Sequence, residues 1–218
     1  MEPLFRHIEN IDWVTVIIFG SLLLIVIAKS TFYNRFLNFI ILPFNNKYIF
    51  MYNKKDKLIN WFHIFFTLFQ IVNFALFLFL SWKALFESDE DQNLYFFPVI
   101  LGAVLLFLVL KVFLQLTNGF IFKSNREISE LIFKKISYLN YSGIIMFLAN
   151  VVLSYVLKDS KPVVFITFLL ILLINTIGWI TLLRNHQKFI THNFFYFILY
   201  LCALEIAPWV IIGNYLND

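Results

Sequence analysis

Six stretches of the chain are apolar almost without interruption, at about residues 13–28, 58–82, 94–122, 136–157, 163–183 and 194–216. About 20 such residues in a helix cross the roughly 30 Å hydrocarbon layer of a bilayer. The apolar periodicity inside the runs is poor. The segments are apolar all round, as expected where lipid or other helices touch every face. They are far longer than the roughly 9–11 residues of a barrel strand, and they lack its alternation. Backbone amides find no water in lipid, so an irregular span is not an alternative. The pattern predicts an all-α polytopic membrane protein: one domain over residues 1–218 with six transmembrane helices.

The first run is not flanked as a signal peptide would be. Its leader carries Glu9 and Asp12 rather than a basic patch, and Lys29 follows Ala28 where a small-residue cleavage site would stand. A retained helix is the expectation. The connecting segments alternate in charge. Lys29, Arg35, Lys47, Lys54, Lys55, Lys57, Lys123, Arg126, Lys134, Lys135, Arg184 and Lys188 fall on one side, against Arg6, Lys83, Lys158 and Lys161 on the other. The excess of lysine and arginine predicts that the first side is cytoplasmic. Both termini and the acidic run Glu87–Asp91 then face outward, in the periplasm if the membrane is a bacterial inner membrane.

The longest connection, residues 30–57, places Phe32, Phe36 and Phe39 at i, i+4 and i+7 before Pro43. That spacing predicts an amphipathic helix in the cytoplasmic interface, broken near the proline; a plain loop packed under the bundle is the alternative. Ser124 and Glu127 have capping-box spacing ahead of Ile128, Leu131 and Ile132, which predicts a second cytoplasmic helix. One or two interfacial helices therefore accompany the six spans.

Composition narrows the function classes. The chain is 61% hydrophobic and 14% charged, with 29 phenylalanines among its 218 residues and a net charge of +4. Mean hydropathy is +0.82. A disordered chain, a nucleic-acid module and a conventional soluble enzyme do not have this composition. Cys202 is the only cysteine, so no disulfide framework exists. The positive charge reads as a topology signal. The expected partners are the lipid bilayer and other membrane-protein subunits, with no nucleic acid.

Ionisable groups at membrane depth cost several kcal/mol unless paired, and each calls for a role. Glu205 in the sixth run and Lys111 in the third each lie eleven residues from their basic-side ends. Both would stand about 16 Å above that face, close enough in height to pair. Gln115 and Asn118 share a helix face with Lys111. His63, Thr67 and Gln70 share one on the second span, with Asn73 beside it, and Asn150 and Asn175 occupy the fourth and fifth spans. Pro208 removes a bond to the carbonyl of Leu204 and predicts a kink one turn beyond Glu205. Two readings of this cluster stand. It is a proton or ion site, with Glu205 titrating beside Lys111, or it is interhelical glue.

Motifs for nucleotide or metal sites are missing from the sequence, and no cofactor or metal is expected. Ser142-Gly143, with His63 as base, is a faint intramembrane-protease pattern that lacks the first glycine of the motif. His63, His186 and His192 have no ligand spacing, and the expectation is a non-enzyme.

The segment from Asn193 to Pro208, ending Leu204-Glu205-Ile206-Ala207-Pro208, resembles the C-terminal signature of a Bacteroidota membrane family labelled domain of unknown function 4271. The stretch from Lys111 to Phe120 and the six-span layout are similar to it too. The resemblance implies an inner-membrane location and supplies no catalytic role for Glu205 or Lys111. The leading expectation is a non-enzymatic subunit of an envelope-biogenesis or protein-export assembly. A small proton-coupled transporter or channel using the Glu205–Lys111 pair is the alternative.

Overall fold

The computed structural model describes residues 12–45, 47–52, 60–86, 96–121 and 125–185. Among them seven helices form and no strand does: α1 (Asp12–Thr31), α2 (Tyr33–Ile40), α3 (Lys47–Tyr52), α4 (Trp61–Phe86), α5 (Phe96–Ile121), α6 (Asn125–Val151) and α7 (Lys161–Asn185). A π-helical stretch, Val152–Val156, extends α6. Five segments are long and apolar enough to cross a bilayer: Asp12–Thr31, Trp61–Leu85, Phe96–Thr117, Ile128–Val156 and Lys161–Thr181. This is the construction of a multi-pass membrane protein. The sixth apolar run, with Glu205 and Pro208, and the acidic run lie outside the described residues.

Helices α1, α4, α6 and α7 overrun their apolar runs at one end or both. The largest overrun is in α6, which begins at Asn125 rather than near 136. Between Asn125 and Ser142 there is neither proline nor glycine to interrupt it. The separate helix expected around Glu127 is therefore the base of α6, because Ile128, Leu131 and Ile132 continue the buried face of the same helix. In α1, Asp12 in the first turn and Lys29 in the last complement the helix dipole.

Side-chain contacts fix the directions of the helices. Trp13 meets Phe79, and Phe32 meets Phe62, so α1 and α4 are antiparallel. Phe79 against Phe97 and Trp82 against Phe96 make α4 and α5 antiparallel. Across α4 and α6 the numbers rise together: His63 faces Phe133, Thr67 meets Asn140, and Asn73 meets Asn150. These two central helices run parallel. Asp159, at φ 52°, takes the left-handed conformation that aspartate tolerates, and the chain then returns as α7 antiparallel to α6.

The end of the bundle carrying α2, α3 and the start of α4 is called basal below. Half or more of the residues in the spans of α4 and α6 are buried (56% and 50%), against 11% for α5 and 17% for α7. The broad apolar faces of α5 and α7 are the faces available to lipid. Two aromatic-rich cores flank the centre. The basal core gathers Phe39, Tyr48, Phe62, Phe66, Phe69 and Phe133. The opposite core gathers Val14, Ala75, Leu76, Phe97, Met146 and Leu153.

Helices α2 and α3 are drawn under the bundle. Pro43 prevents α2 from continuing, and the Asn45 side chain accepts the backbone N–H of Lys47 to open α3. Phe39, Leu42 and Tyr48 are fully buried against α4. The described part of this connection, residues 32–45 and 47–52, is thus helical on both sides of Pro43 and also packed beneath the bundle.

Two glycines set the approach of α6 to its neighbours. A Cβ on Gly143 would stand 3.0 Å from the Cα of Gln70, and one on Gly178 would stand 2.7 Å from the Tyr138 ring. Small residues at such crossings let helices close without a hydrophobic driving force. Gly143→Val forces α4 and α6 apart and should cost about 1–3 kcal/mol. Thermal unfolding in detergent reads this as a lowered midpoint. Gly20→Val, at a position with open space around it, should leave the midpoint in place.

Candidate functional site

The polar side chains of the central helices are arranged in pairs along the α4–α6 seam and its α7 flank. Nearest the basal end, the Tyr48 hydroxyl of α3 lies 3.1 Å from His63 Nε2 of α4, with both groups buried. One turn higher, Asn140 Nδ2 donates to Thr67 Oγ1 at 3.3 Å, a long hydrogen bond. Above it, Gln70 is 1% exposed and is wedged against Gly143. Asn150 Nδ2 then donates to the backbone carbonyl of Asn73 at 3.0 Å, while Asn73 Nδ2 donates to Phe69 O at 2.9 Å. On the flank, Asn175 Nδ2 of α7 donates to Ser142 Oγ at 3.1 Å. The Ser142 hydroxyl donates in turn to Tyr138 O.

The amides sit where two apolar helices would otherwise slide or rotate freely. Bonds of this kind in a bilayer are worth about 0.6 kcal/mol on average and rarely exceed about 1.7. Their sum is small beside the packing of the aromatic cores. Their directionality is what counts, because one register satisfies them and a register shifted by a residue does not.

Some polar atoms of the seam have no hydrogen-bond partner among the described residues. They are Gln70 Oε1, Ser81 Oγ, Asn150 Oδ1 and Ser154 Oγ, with Gln115 Nε2 on α5 as a further case. Other hydroxyls donate within their own helix, as where Ser137 Oγ donates to Phe133 O and Thr167 Oγ1 to Val163 O.

The expected site residues thus separate into pairs. His63, Gln70 and Asn73 lie on the α4 face buried against α6, and Asn175 reaches the same helix from α7. Gln115 is buried on α5, and Lys111 sits with its Nζ 5.7 Å from the Phe107 ring. The Asn118 side chain, Glu205 and Pro208 lie outside the described residues, so the Glu205–Lys111 pair has no described geometry. His63 is level with Phe133, nine residues below Ser142 on the parallel α6. That is about 13 Å of helix rise, too far for one to serve the other as base. Neither the Tyr48–His63 contact nor the Thr67–Asn140 partnership is marked by a local sequence pattern. The only available signal was that Asn140 and Ser142 interrupt an otherwise apolar run.

A partly open cleft of about 40 Å³ lies between α6 and α7, lined by Lys135, Tyr138, Leu139, Asn175, Gly178 and Trp179. Small-molecule sites measure about 300–1,000 Å³, so the cleft takes water-sized groups and not a metabolite. Among the described residues no group of three His, Cys, Asp or Glu side chains could hold a metal ion.

Outside the spans, burial raises the pKa of the Tyr48 phenol above its ordinary value of 10.0, against a smaller lowering by Arg35. The folded state therefore favours the neutral phenol. Its contribution to stability is complete below pH 10 and is lost only as the pH rises through the elevated value. Near-ultraviolet titration to about pH 11, above the ordinary tyrosine range, should show the same tyrosinate amplitude for wild type and Tyr48→Phe, because the buried phenol stays protonated. A drop of one tyrosine in the variant would contradict this placement.

No curated protein and no solved structure matches the chain. A family model does match, over residues 14–216, which include all five described spans except the first two residues of α1. The chain belongs to the family described as Domain of unknown function (DUF4271).

Proposed function

We propose that the protein is a non-enzymatic subunit of a larger assembly in a bacterial inner membrane, serving envelope biogenesis or protein export. The observation that carries this reading is the pairing of amides among the described residues. The amides of α4, α6 and α7 are turned on one another, and the cleft beside them is about 40 Å³. A bundle built this way holds a shape and presents surfaces. The surfaces are the apolar sides of α5 and α7, where Val99, Leu106, Phe113, Phe165 and Leu172 are exposed. The lysine-rich basal end faces the cytoplasm in this proposal, and both termini face the periplasm.

A second reading, a small proton-coupled transporter using Glu205 and Lys111, draws on the buried acceptors of Gln70, Ser81, Asn150 and Ser154. Water threading the α4–α6 seam would satisfy them.

Purification in mild detergent tests the first reading. It predicts membrane subunits in fixed stoichiometry, cross-linking to photoreactive residues placed at Leu106 or Phe165. A monodisperse monomer without cross-links at either position would overturn it. The transporter reading predicts proton flux in proteoliposomes that Glu205→Gln abolishes.

A further inference from the structure

Helix α2 has three faces. Phe36 and Phe39 pack on α4, and Phe39 is fully buried there. Asn34 and Asn38, one turn apart, make a polar face, with the Asn38 side chain donating to Asn34 O at 2.8 Å. Tyr33, Leu37 and Ile40, at i, i+4 and i+7, make a third face that is apolar and exposed. Phe44, in the turn that follows, is 90% exposed. This row is not that of Phe32, Phe36 and Phe39, whose spacing predicts the amphipathic helix. Those three rings turn to Phe62 and Phe66 of α4.

Ring contacts fix the level of α2. Phe36 and Phe39 reach Phe66, with centroids 6.1 and 4.6 Å away. Phe66 stands five residues inside the apolar span that opens at Trp61, about 7.5 Å of helix rise. Phe39 also meets Tyr141 of α6, the neighbour of the Asn140 that pairs with Thr67. A helix lying in the membrane interface sinks about 5–10 Å into the boundary between headgroups and acyl chains. The level of α2 beside α4 is of that size. Trp61 marks the boundary itself, since it is 67% exposed and tryptophan gathers where lipid meets water.

The chain leads directly from a spanning surface to this row. Phe32 N–H bonds to Ala28 O, and α2 begins one residue after α1 ends, so the exposed Val26 and Ile27 of α1 stand within two turns of Tyr33. Lys29 and Lys47 flank the row in sequence, and both are exposed. Long basic side chains at such positions reach up to anionic headgroups while their stems stay in apolar surroundings. We infer that Tyr33, Leu37, Ile40 and Phe44 are seated in the acyl region of the basal leaflet, which makes α2 a lipid-embedded wedge held to α4 by its opposite face. Asn34 and Asn38 then point to the headgroups and water. The inference does not rest on the subunit reading, whose surfaces are on α5 and α7.

The test uses the full chain in a Cys202→Ser background, with single spin-labelled cysteines, in liposomes of phosphatidylcholine and phosphatidylglycerol. Power-saturation spectroscopy compares collisions with oxygen, which concentrates in hydrocarbon, against those with a water-soluble nickel chelate. Phe19→Cys, at an exposed position midway along α1, supplies the lipid reference. Leu37→Cys and Phe44→Cys should favour oxygen as Phe19→Cys does, and Asn34→Cys should reverse the ratio. Dominance of nickel at Leu37 and Phe44 would overturn the inference and place the row in water. Exclusion of both reagents there would overturn it in favour of a covering protein. Leu37→Trp and Phe44→Trp give a second readout without a label. Lipids brominated on the upper acyl chain should quench the added emission more strongly than lipids brominated near the chain end, and no quenching by either would contradict the placement.

Discussion

The structure depends on amides that have no water to turn to. In a bilayer the apolar faces of two helices are no happier against each other than against lipid, so greasy surface alone does not choose a neighbour. The choice here falls to a few side chains: Asn150 reaching the Asn73 carbonyl, Asn140 reaching Thr67, and Asn175 reaching Ser142. These contacts make α6 the hub of the bundle, bonded to α4 on one side and to α7 on the other. Gly143 and Gly178 let the backbones come close enough for the bonds to form. The aromatic cores at either end then supply the bulk of the contact area. The amides fix which of many greasy packings is adopted.

The same constraint accounts for α2 and α3. A connection this rich in phenylalanine and tyrosine has either lipid or protein to cover it. Here the base of α4 and α6 covers it through Phe39, Phe62, Tyr48 and Phe133. Arg35 closes the arrangement from outside, with its guanidinium 4.4 Å from the Tyr52 ring. The buried Tyr48–His63 bond ties this cap to the first turn of a spanning helix. Displacement of α4 at its base is thereby transmitted to the cap through a polar contact as well as through packing.

The helical, multi-pass class was legible in the apolar runs, because run length and the lack of alternation are local properties. The grouping of His63, Thr67, Gln70 and Asn73 on one face was legible for the same reason: a helix repeats every 3.6 residues whatever its surroundings. What each would touch was not legible. Asn140 and Thr67 are 73 residues apart in sequence, and nothing local in either run names the other. Depth was misleading too. Counting from the end of an apolar run assumes that every helix begins at the membrane surface, whereas α6 extends well below the start of α4. That projection brings Lys135, which by sequence looks like a topogenic flank, level with the first turns of α4. Glu205 and Pro208 lie outside the described residues, so the pairing expected of the last run stays a matter of sequence.

The parallel alignment of α4 and α6 is the claim from which the seam and the cap follow, and disulfide trapping in native membranes tests it directly. In a Cys202→Ser background, cysteines at Thr67 with Asn140 and at Asn73 with Asn150 should cross-link on mild oxidation, while Thr67 with Met146 and Asn73 with Asn140 should not. The last two pairs are the neighbours an antiparallel packing about the same crossing would create. Efficient cross-linking of those two, with none at Thr67–Asn140, would contradict the account.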